Sequence, residues 1–461
     1  MEDLIKKAVN NFLNLDKNKP IRIITHNDCD GLTSGAIISK ALIRGKWKFV
    51  INAVKQLDEA TVINIFKESY ETFIFTDLGS GYLRFIKKHL KDKKVFIFDH
   101  HELDDYSTEN FNENIVHVNP KIINENDYSY VSGAGVVYMF VKNLNKENIN
   151  LAYLALTGAL GDVQDLNKGI NKVILEDAVK SKKIEIKKGL KLFGYQSRAI
   201  HKVLQYSTDP FIPGISGNED GALKFINEIG IEYFNGKEYR KLTDLNKEEM
   251  QKLIAGIIIK RIGFEKEPED VIGDLYTLKD EEDGSIIKDA REFSTVLNCC
   301  GKLDAFGIGI GLCFGNKNIK SRAEDLLKNY RLEIIRGLNH FYNNRESFVK
   351  DGYIFFNARD NINDNIISTL ATILSKNNEF SNMIIICSVY RNNEIKISAR
   401  VGGNLDIDLR EVLTKIVSDN GIVGGHKMAC GGLINRDKED IFMERIFNVL
   451  DNMEIKQRQV F

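Results

Sequence analysis

The sequence predicts an α/β protein with a parallel-sheet N-terminal domain, a mostly helical connecting region and a smaller C-terminal α/β domain. Apolar runs rich in β-branched and aromatic residues at 21–24, 72–76 and 95–98 alternate with segments of helical periodicity. This alternation is typical of parallel strands joined by right-handed helical crossovers. Each run stops at acidic or histidine residues. Because open α/β sheets bind ligands at the carboxyl ends of their strands, we expect the functional site at that edge.

The elements of the first half follow from hydrophobic periodicity and from the residues that interrupt it. Pro20 precedes the first strand, and small residues occupy the first turns of the helix after it. The predicted helices cover residues 1–16, 32–44, 59–70, 82–90, 133–141 and 151–156, and the predicted strands cover 21–24, 47–54, 72–76 and 95–98.

The connecting region is less regular. A polar loop is predicted at 124–127, a boundary or hinge at 209–214 and an exposed acidic turn at 280–284. The Gly-Ile-Gly-Ile-Gly run at 307–311 does not have the spacing of a dinucleotide-binding loop, and we predict a glycine-rich turn or strand there. Helices are expected at 219–229, 247–263 and 321–346.

A basic stretch between residues 180 and 202 allows two interpretations. It contains eight lysine and arginine residues together with Phe193 and Tyr195. It is either a solvated helix face or a track for phosphates with aromatic rings on which bases stack.

The last 110 or so residues return to a clear alternation of strands and helices. Strands are predicted at 352–356, 383–390 and 394–398, the last two as a hairpin, and helices at 406–418 and 439–450. Two glycines follow Arg400, whose guanidinium suits a phosphate, although a surface salt bridge is the simpler interpretation. The predicted domains are therefore residues 1–195, 196–348 and 349–461.

Composition excludes several classes of protein. The chain has 461 residues, a net charge of −1, and six cysteines without a C-x-x-C pair, which we interpret as reduced thiols. No apolar run reaches the roughly 18 residues of a membrane span, and the N-terminus lacks a signal-peptide pattern. We therefore expect a cytoplasmic protein without a membrane partner. The absence of a G-x-x-x-x-G-K-[ST] sequence argues against a P-loop.

The strand-end acids and histidines carry the chemistry. Taken singly, each acid can be explained as a helix cap or a turn residue. Together they would gather at one sheet edge, where like charges repel unless a cation lies between them. The members are Asp28, Asp30, Asp77, Asp99, His100, His101 and, after a glycine-rich segment, Asp162.

Carboxylates in excess over imidazoles suit Mn²⁺ or Mg²⁺ better than a closed zinc site. So many donors exceed the needs of one ion, whereas a bridging carboxylate allows two ions about 3.5–4 Å apart. Two such ions are typical of phosphoryl chemistry, in which they activate a water and stabilise both oxygens of an in-line displacement.

Four segments resemble, in order and approximate spacing, the motifs of the DHH phosphoesterase superfamily. They are His26-Asn27-Asp28-Cys29-Asp30-Gly31, Asp77-Leu78-Gly79, Asp99-His100-His101 and Gly158-Ala159-Leu160-Gly161-Asp162. Residues 397–403 and 424–432 resemble the companion DHHA1 substrate-binding domain of that family. The two halves together resemble RecJ-like nucleases of the archaeal type.

The resemblance implies a role for each matching residue. The implied metal ligands are His26, Asp28, Asp30, Asp77, His100 and Asp162. Asp77 is the implied bridge, and relatives vary at the position of His26. Asp99 would orient a neighbouring group, and His101 would face the scissile phosphate. Arg400, Gly424, Gly425 and His426 would hold the substrate, although the two glycines and His426 can equally form a simple turn.

The implied activity is that of an exonuclease that depends on two Mn²⁺ or Mg²⁺ ions and degrades single-stranded nucleic acid to mononucleotides. RecJ-like enzymes suggest 5′→3′ polarity on single-stranded DNA, in DNA replication or repair. Alternatives are 3′→5′ digestion of RNA or short oligoribonucleotides, and a non-enzymatic adaptor beside GINS-like components of a replication helicase. A family II pyrophosphatase is disfavoured by the long connecting region and by residues 424–426. A metal domain and a substrate-binding domain closing over a groove are expected.

Overall fold

A computed structural model describes residues 1–104, 114–123, 130–207, 210, 212–263, 267–403 and 405–458. The chain forms two compact units, Met1–Asp325 and Leu326–Phe461. The whole predicted polar loop at 124–127 and residues 209 and 211 of the predicted hinge at 209–214 lie outside the described residues. Among the described residues, no helix is both long and apolar enough to cross a membrane.

The first unit is built on a parallel sheet, as predicted. Its strands are β1 (Ile21–His26), β2 (Phe49–Val54), β3 (Thr72–Thr76), β4 (Lys94–Phe98) and β5 (Ile115–Val118), in the order β2-β1-β3-β4-β5. Its helices are α1 (Glu2–Leu13), α2 (Cys29–Arg44), α3 (Glu59–Phe66), α4 (Leu83–Leu90), α5 (Gly133–Leu144), α6 (Ala152–Gly161) and α7 (Gly169–Lys180). Strand β5 was not predicted.

The central strands of this sheet are buried on both faces, which explains why they are continuously apolar. On β4, Val95 and Ile97 belong to the core that includes residues of α3 and α4. The alternate residues of that strand, Phe96 and Phe98, contact aromatic rings of α1 and α5. The sheet is thus held between two helical layers, and only its edge remains for chemistry.

The rest of the first unit is mostly helical, as predicted. Strands β6 (Ile184–Leu190) and β7 (Ile272–Leu278) form an antiparallel pair. The helices are α8 (Ile200–Gln205), α9 (Glu219–Glu228), α10 (Lys247–Arg261), α11 (Ala290–Lys302) and α12 (Phe306–Cys313), and the helix α13 (Lys320–Asn343) contains the boundary between the units.

Two sequence interpretations of this region are wrong. The Gly-Ile-Gly-Ile-Gly run is not a turn or strand but lies in the helix α12. Its glycines allow close packing, since a Cβ atom on Gly309 would lie 2.8 Å from the Leu32 side chain. The centre of the basic stretch is not a helix face but the strand β6. Several of its lysines pair with acids, among them Lys183 with Asp280 and Lys188 with Asp274.

The second unit contains a five-stranded mixed sheet in the order β11-β12-β10-β9-β8. Its strands are β8 (Tyr353–Asn357), β9 (Ile384–Arg391), β10 (Glu394–Val401), β11 (Gly421–His426) and β12 (Ala429–Asn435), and its helices are α14 (Arg345–Phe348), α15 (Ile367–Ser375), α16 (Leu409–Val417) and α17 (Glu439–Arg458). The predicted β9–β10 hairpin is confirmed. The strands β11 and β12 were missed because their glycines disfavour a strand prediction.

Gly158 allows three helices of the first unit to meet. A Cβ atom on this residue of α6 would lie 2.5 Å from Asp30 Oδ1, 2.5 Å from Thr33 Oγ1 and 2.7 Å from Ala134 Cβ. Asp30 and Thr33 belong to α2 and Ala134 to α5. The contact with Asp30 links helix packing directly to the sheet edge.

We expect Gly158→Ala to lower the free energy of unfolding by about 1–3 kcal/mol, because overpacking forces these helices apart. Thermal unfolding measures the effect. Gly307→Ala is the matched control, since a Cβ atom on Gly307 would have no described heavy atom within 4 Å outside its own surroundings in the chain. Equal unfolding midpoints for the two variants would contradict the prediction.

Candidate metal centre

Asp28 acts both as a helix cap and as a member of the acidic cluster. It is the N-cap of α2, where its Oδ1 accepts a hydrogen bond from Gly31 N at 2.9 Å. Its other oxygen, Oδ2, lies 3.0 Å from His26 Nδ1. The cap interpretation and the ligand interpretation are therefore compatible, because each uses a different carboxylate oxygen.

Asp30 is fully buried and bound to the N-terminus of α5. Its Oδ2 accepts from Gly133 N at 2.6 Å and its Oδ1 accepts from Ala134 N at 3.0 Å. Oδ2 also lies 3.6 Å from His100 Nε2. Burial and the charge of Asp77 raise the pKa of Asp30 well above its ordinary value.

Asp77 lies at the centre of the site. It follows β3 with a left-handed backbone, at φ 59°, and its N–H donates to Phe98 O. Within the described part of the chain, neither of its buried carboxylate oxygens has a hydrogen-bond partner. Its Oδ2 lies 3.5 Å from His26 Nδ1, and its Oδ1 lies 3.4 Å from His100 Nε2. Oδ1 also lies 3.9 Å from His101 Nδ1, so the carboxylate faces His26 with one oxygen and His100 and His101 with the other.

The pKa values of this cluster reflect a shortage of positive charge. Burial alone would raise the pKa of Asp77, but His100 and His26 hold it below the ordinary value. Burial opposes protonation of His100, but Asp77, Asp30 and Asp162 raise its pKa to about 10. A divalent cation would supply this charge more directly and leave the imidazole nitrogens free to act as ligands.

Asp99 holds the turn that carries the two histidines. Its Oδ1 accepts from His100 N at 2.8 Å and lies 2.7 Å from His101 Nδ1, while its Oδ2 accepts from Ser80 N at 2.9 Å. Burial opposes the charged form of His101, yet Asp99 raises the pKa of that imidazole. His101 remains about half exposed, at 48% of its side chain.

Three residues beneath this turn were missed from the sequence. Asn119 donates from Nδ2 to Ser80 Oγ at 2.8 Å and to His101 O at 3.0 Å. Ser80 Oγ also lies 2.8 Å from His117 Nε2. His117 belongs to β5 and Asn119 follows it, so recognising residues 115–118 as a fifth strand would have placed Asn119 at the active edge.

Asp162 is the C-cap residue of α6 and lies beside His100. Its Oδ2 lies 3.8 Å from His100 Nε2 and accepts from Gln164 Nε2 at 2.7 Å. Gln164 Oε1 in turn accepts from the buried Asn171 at 2.8 Å. Asp165 instead accepts from Asn167 N at 2.9 Å and pairs with Lys168, as expected for a turn acid.

The donors form three overlapping groups that could hold metal ions. The groups are His26, Asp28 and Asp77; Asp30, His100 and Asp162; and Asp77, His100 and His101. Carboxylate oxygens with a few imidazoles fit Mn²⁺ or Mg²⁺. The oxygens of Asp77, which have no hydrogen-bond partner among the described residues, are what a cation would satisfy, so the residues present fit a metal.

The predicted substrate residues lie together in the second unit. Arg400 pairs across the sheet with Ala429, which pairs with His426, so the three form one row on the same face. Arg400 donates from Nε to Thr372 Oγ1 at 3.1 Å and from Nη1 to Ala399 O at 2.8 Å. Gly424 and Gly425 lie not in a turn but in the edge strand β11.

The face around this row is open. Ala429 lies between Arg400 and His426, and the next pair on this face of the two strands is Gly424 with Gly431, so the row is flanked by small residues. A Cβ atom on Gly424 would have no described neighbour within 4 Å outside its own surroundings in the chain. Burial lowers the pKa of Arg400, although a guanidinium stays charged at neutral pH.

Comparisons with family models identify the domains. The DHH family N-terminal domain matches residues 20–159, the DHH-CID domain matches 192–275 and the DHHA1 domain matches 350–452. This chain belongs to the DHH superfamily. A curated relative, an uncharacterized protein of Methanocaldococcus jannaschii, is 28% identical over an alignment of 442 residues that covers 93% of this chain and 93% of the relative.

Solved structures show the same fold. RecJ from Thermus thermophilus in complex with Mn²⁺ is 15% identical with a TM-score of 0.61, over 97% of this chain and 55% of RecJ. This chain therefore spans about half the length of that relative. CDC45 from Entamoeba histolytica is 12% identical with a TM-score of 0.68, over 97% of this chain and 98% of CDC45. The predicted DHH, RecJ-like architecture is confirmed.

We expect Asp77→Asn to abolish the stabilisation of the protein by Mn²⁺, because it removes charge from the carboxylate that belongs to two of the three donor groups. Ligand at about 100 times its dissociation constant stabilises a protein by about 2.7 kcal/mol. Thermal unfolding with and without MnCl₂ measures the response. Asp165→Asn, which alters the nearby turn acid, should retain it. A full Mn²⁺ response in Asp77→Asn would disprove the assignment.

Proposed function

We propose that this chain is a phosphodiesterase that uses two Mn²⁺ or Mg²⁺ ions to degrade single-stranded nucleic acid from one end, releasing mononucleotides. The observation that carries the proposal is the buried Asp77 carboxylate, which has no hydrogen-bond partner among the described residues and lies between His26 and His100. One ion would be held by His26, Asp28 and Asp77, and the other by Asp30, Asp77, His100 and Asp162.

The remaining residues have distinct tasks in this proposal. Bound ions would lower the pKa of an attacking water and stabilise negative charge on the phosphate. Asp99 orients His101 through its Nδ1, so the other ring nitrogen is available to a phosphate oxygen or to the leaving oxygen. Asn119 fixes the backbone of the same turn through His101 O.

The second unit supplies binding in this proposal. Arg400 and His426 lie on one face, with Ala429 between them. Arg400 is oriented by Thr372 and Ala399, so its guanidinium can meet a phosphate without a large loss of side-chain entropy. The glycines of β11 leave space for a sugar or phosphate beside His426.

We propose 5′→3′ digestion of single-stranded DNA in replication or repair, with 3′→5′ digestion of RNA or short oligoribonucleotides as the alternative. The RecJ likeness supports the first, since a second solved relative is an exonuclease RecJ bound to manganese, at 15% identity and a TM-score of 0.59 over 96% of this chain and 93% of that one. Residue geometry at the metal centre favours neither sugar.

A timed digestion of matched single-stranded DNA and RNA, each labelled at one end, tests this proposal. We expect Mn²⁺-dependent release of labelled mononucleotide first from 5′-labelled DNA. His100→Ala should reduce the rate by about 100-fold or more, because an imidazole in contact with Asp30, Asp77 and Asp162 is lost. Release first from 3′-labelled RNA would support the alternative, and no hydrolysis of either polymer would refute the nuclease.

A second candidate function is a non-enzymatic adaptor beside GINS-like components of a replication helicase. The likeness to CDC45, which covers nearly all of both chains, favours it. An adaptor does not require the metal donors. A wild-type protein that neither hydrolyses nucleic acid nor responds to Mn²⁺ would support this candidate.

We expect Arg400→Ala to weaken the binding of a single-stranded oligonucleotide by about 10-fold or more, because a charged hydrogen-bond donor to phosphate is lost. Mn²⁺ affinity should not change. Fluorescence anisotropy measures the first and calorimetry the second. The matched control is Arg436→Ala, since Arg436 follows the opposite end of the same strand ladder and stacks on Tyr390. Superimposable titrations for the two variants would rule out the assigned role of Arg400.

A further inference from the structure

The helix α11 contacts the first metal-binding segment from a distant part of the chain. Asn298, in this helix, accepts a hydrogen bond at Oδ1 from Cys29 N at 2.9 Å. Cys29 is the first residue of α2 and lies between Asp28 and Asp30. The first amides of a helix have no partner within it. Asn298 therefore satisfies one of these amide donors, at the residue between Asp28 and Asp30.

A second contact fixes the residue before Asp28. Asn27 donates from Nδ2 to Gly301 O at 3.0 Å, near the C-terminus of α11. A Cβ atom on Gly301 would lie 1.8 Å from Asn27 O and 3.3 Å from Asp28 Cα. Only glycine allows the helix to lie this close to the segment. The backbone on both sides of Asp28 is thus in contact with α11.

The same helix is anchored at its other end. Glu292, in the first turn of α11, is buried and accepts from Ser197 Oγ at 2.9 Å and from Gln196 N at 3.4 Å. Ser197 and Gln196 lie within the segment matched by the DHH-CID model. From Glu292 to Asn298 the helix rises by roughly 9 Å, so one rigid element contacts both segments.

We propose that Asn298 is a positioning residue of the metal centre. Through Asn298 and Gly301, the helix α11 acts as a brace that sets the separation of the Asp28 and Asp30 carboxylates. This inference rests on the proposed role of those acids as metal ligands. In this role Asn298 acts through its hydrogen bond with the Cys29 amide and not through contact with either carboxylate. The brace also connects the metal-binding segment to the segment around Ser197.

The test measures Mn²⁺ binding by electron paramagnetic resonance of the free ion, without any nuclease assay. Asn298→Ala should lower the Mn²⁺ affinity by about 10-fold or more, the usual effect of removing a partner that orients ligands. Asn298→Asp keeps an oxygen acceptor for the Cys29 amide and should restore most of the affinity. Asn143→Ala is the matched control, because Asn143 is an exposed helical asparagine that donates from Nδ2 to Met139 O in its own helix.

Gly301→Ala provides a second variant that perturbs the same segment through the other contact, with Gly307→Ala as its control. We expect lower Mn²⁺ affinity for Gly301→Ala and an unchanged affinity for Gly307→Ala. Thermal unfolding without metal shows whether each variant is folded.

Wild-type Mn²⁺ affinity in both Asn298→Ala and Gly301→Ala would overturn the brace. Equal weakening by Asn298→Ala and Asn298→Asp would overturn the role of the hydrogen bond. An absence of Mn²⁺ binding in the wild type would instead refute the proposed metal centre.

Discussion

The structure depends on one electrostatic constraint, the gathering of carboxylates around the buried Asp77. Burial raises the free energy of an ionised carboxylate unless opposite charge or hydrogen bonds compensate it. Asp77 has no hydrogen-bond partner among the described residues, and its compensation comes from His26 and His100. Each histidine also lies beside another acid, at His26–Asp28 and His100–Asp30. The cluster therefore requires cations, either as protonated imidazoles or as metal ions.

The packing of the first unit serves this constraint. Asp30 is held by two amides of α5, while glycines at 133 and 158 leave room for the carboxylates of Asp77 and Asp30. A methyl group at either glycine would occupy the space of an acid oxygen. The same glycines thus allow close helix packing and leave room for the Asp30 and Asp77 carboxylates. The stability of the helices is therefore coupled to the geometry of the site.

Much of this arrangement could be predicted from local sequence, and the rest depends on tertiary contacts. Strands such as 72–76 and 95–98 are continuously apolar and end in polar clusters, so both their type and their shared edge follow from the sequence pattern. The helix at 306–313 could not be predicted in this way, because glycines disfavour helices intrinsically, and only tertiary packing explains Gly309, which lies against Leu32, and Gly311, which lies against Ile319. Asn119 escaped detection because the short strand before it contains the polar His117.

The contact of Asn298 with Cys29 could not be predicted from the sequence. The two residues are separated by 269 positions, and nothing in the local pattern of α11 distinguishes this asparagine from an exposed one. A domain assigned from motifs alone would end the metal-binding part well before residue 298. The contacts of α11 instead make residues 290–302 part of the support of the segment that contains Asp28 and Asp30.

The fold by itself leaves the activity open, since RecJ and CDC45 are both similar to this chain at low identity. Function resides in the side chains of the site. A protein that only docks with partners gains nothing from a buried carboxylate that has no hydrogen-bond partner, and replacing Asp77 by a neutral residue would remove its desolvation cost. Here the two oxygens of that carboxylate lie 3.5 Å from His26 Nδ1 and 3.4 Å from His100 Nε2. The cost of burying Asp77 is explained when cations bind between these groups, which favours a working metal centre over an adaptor.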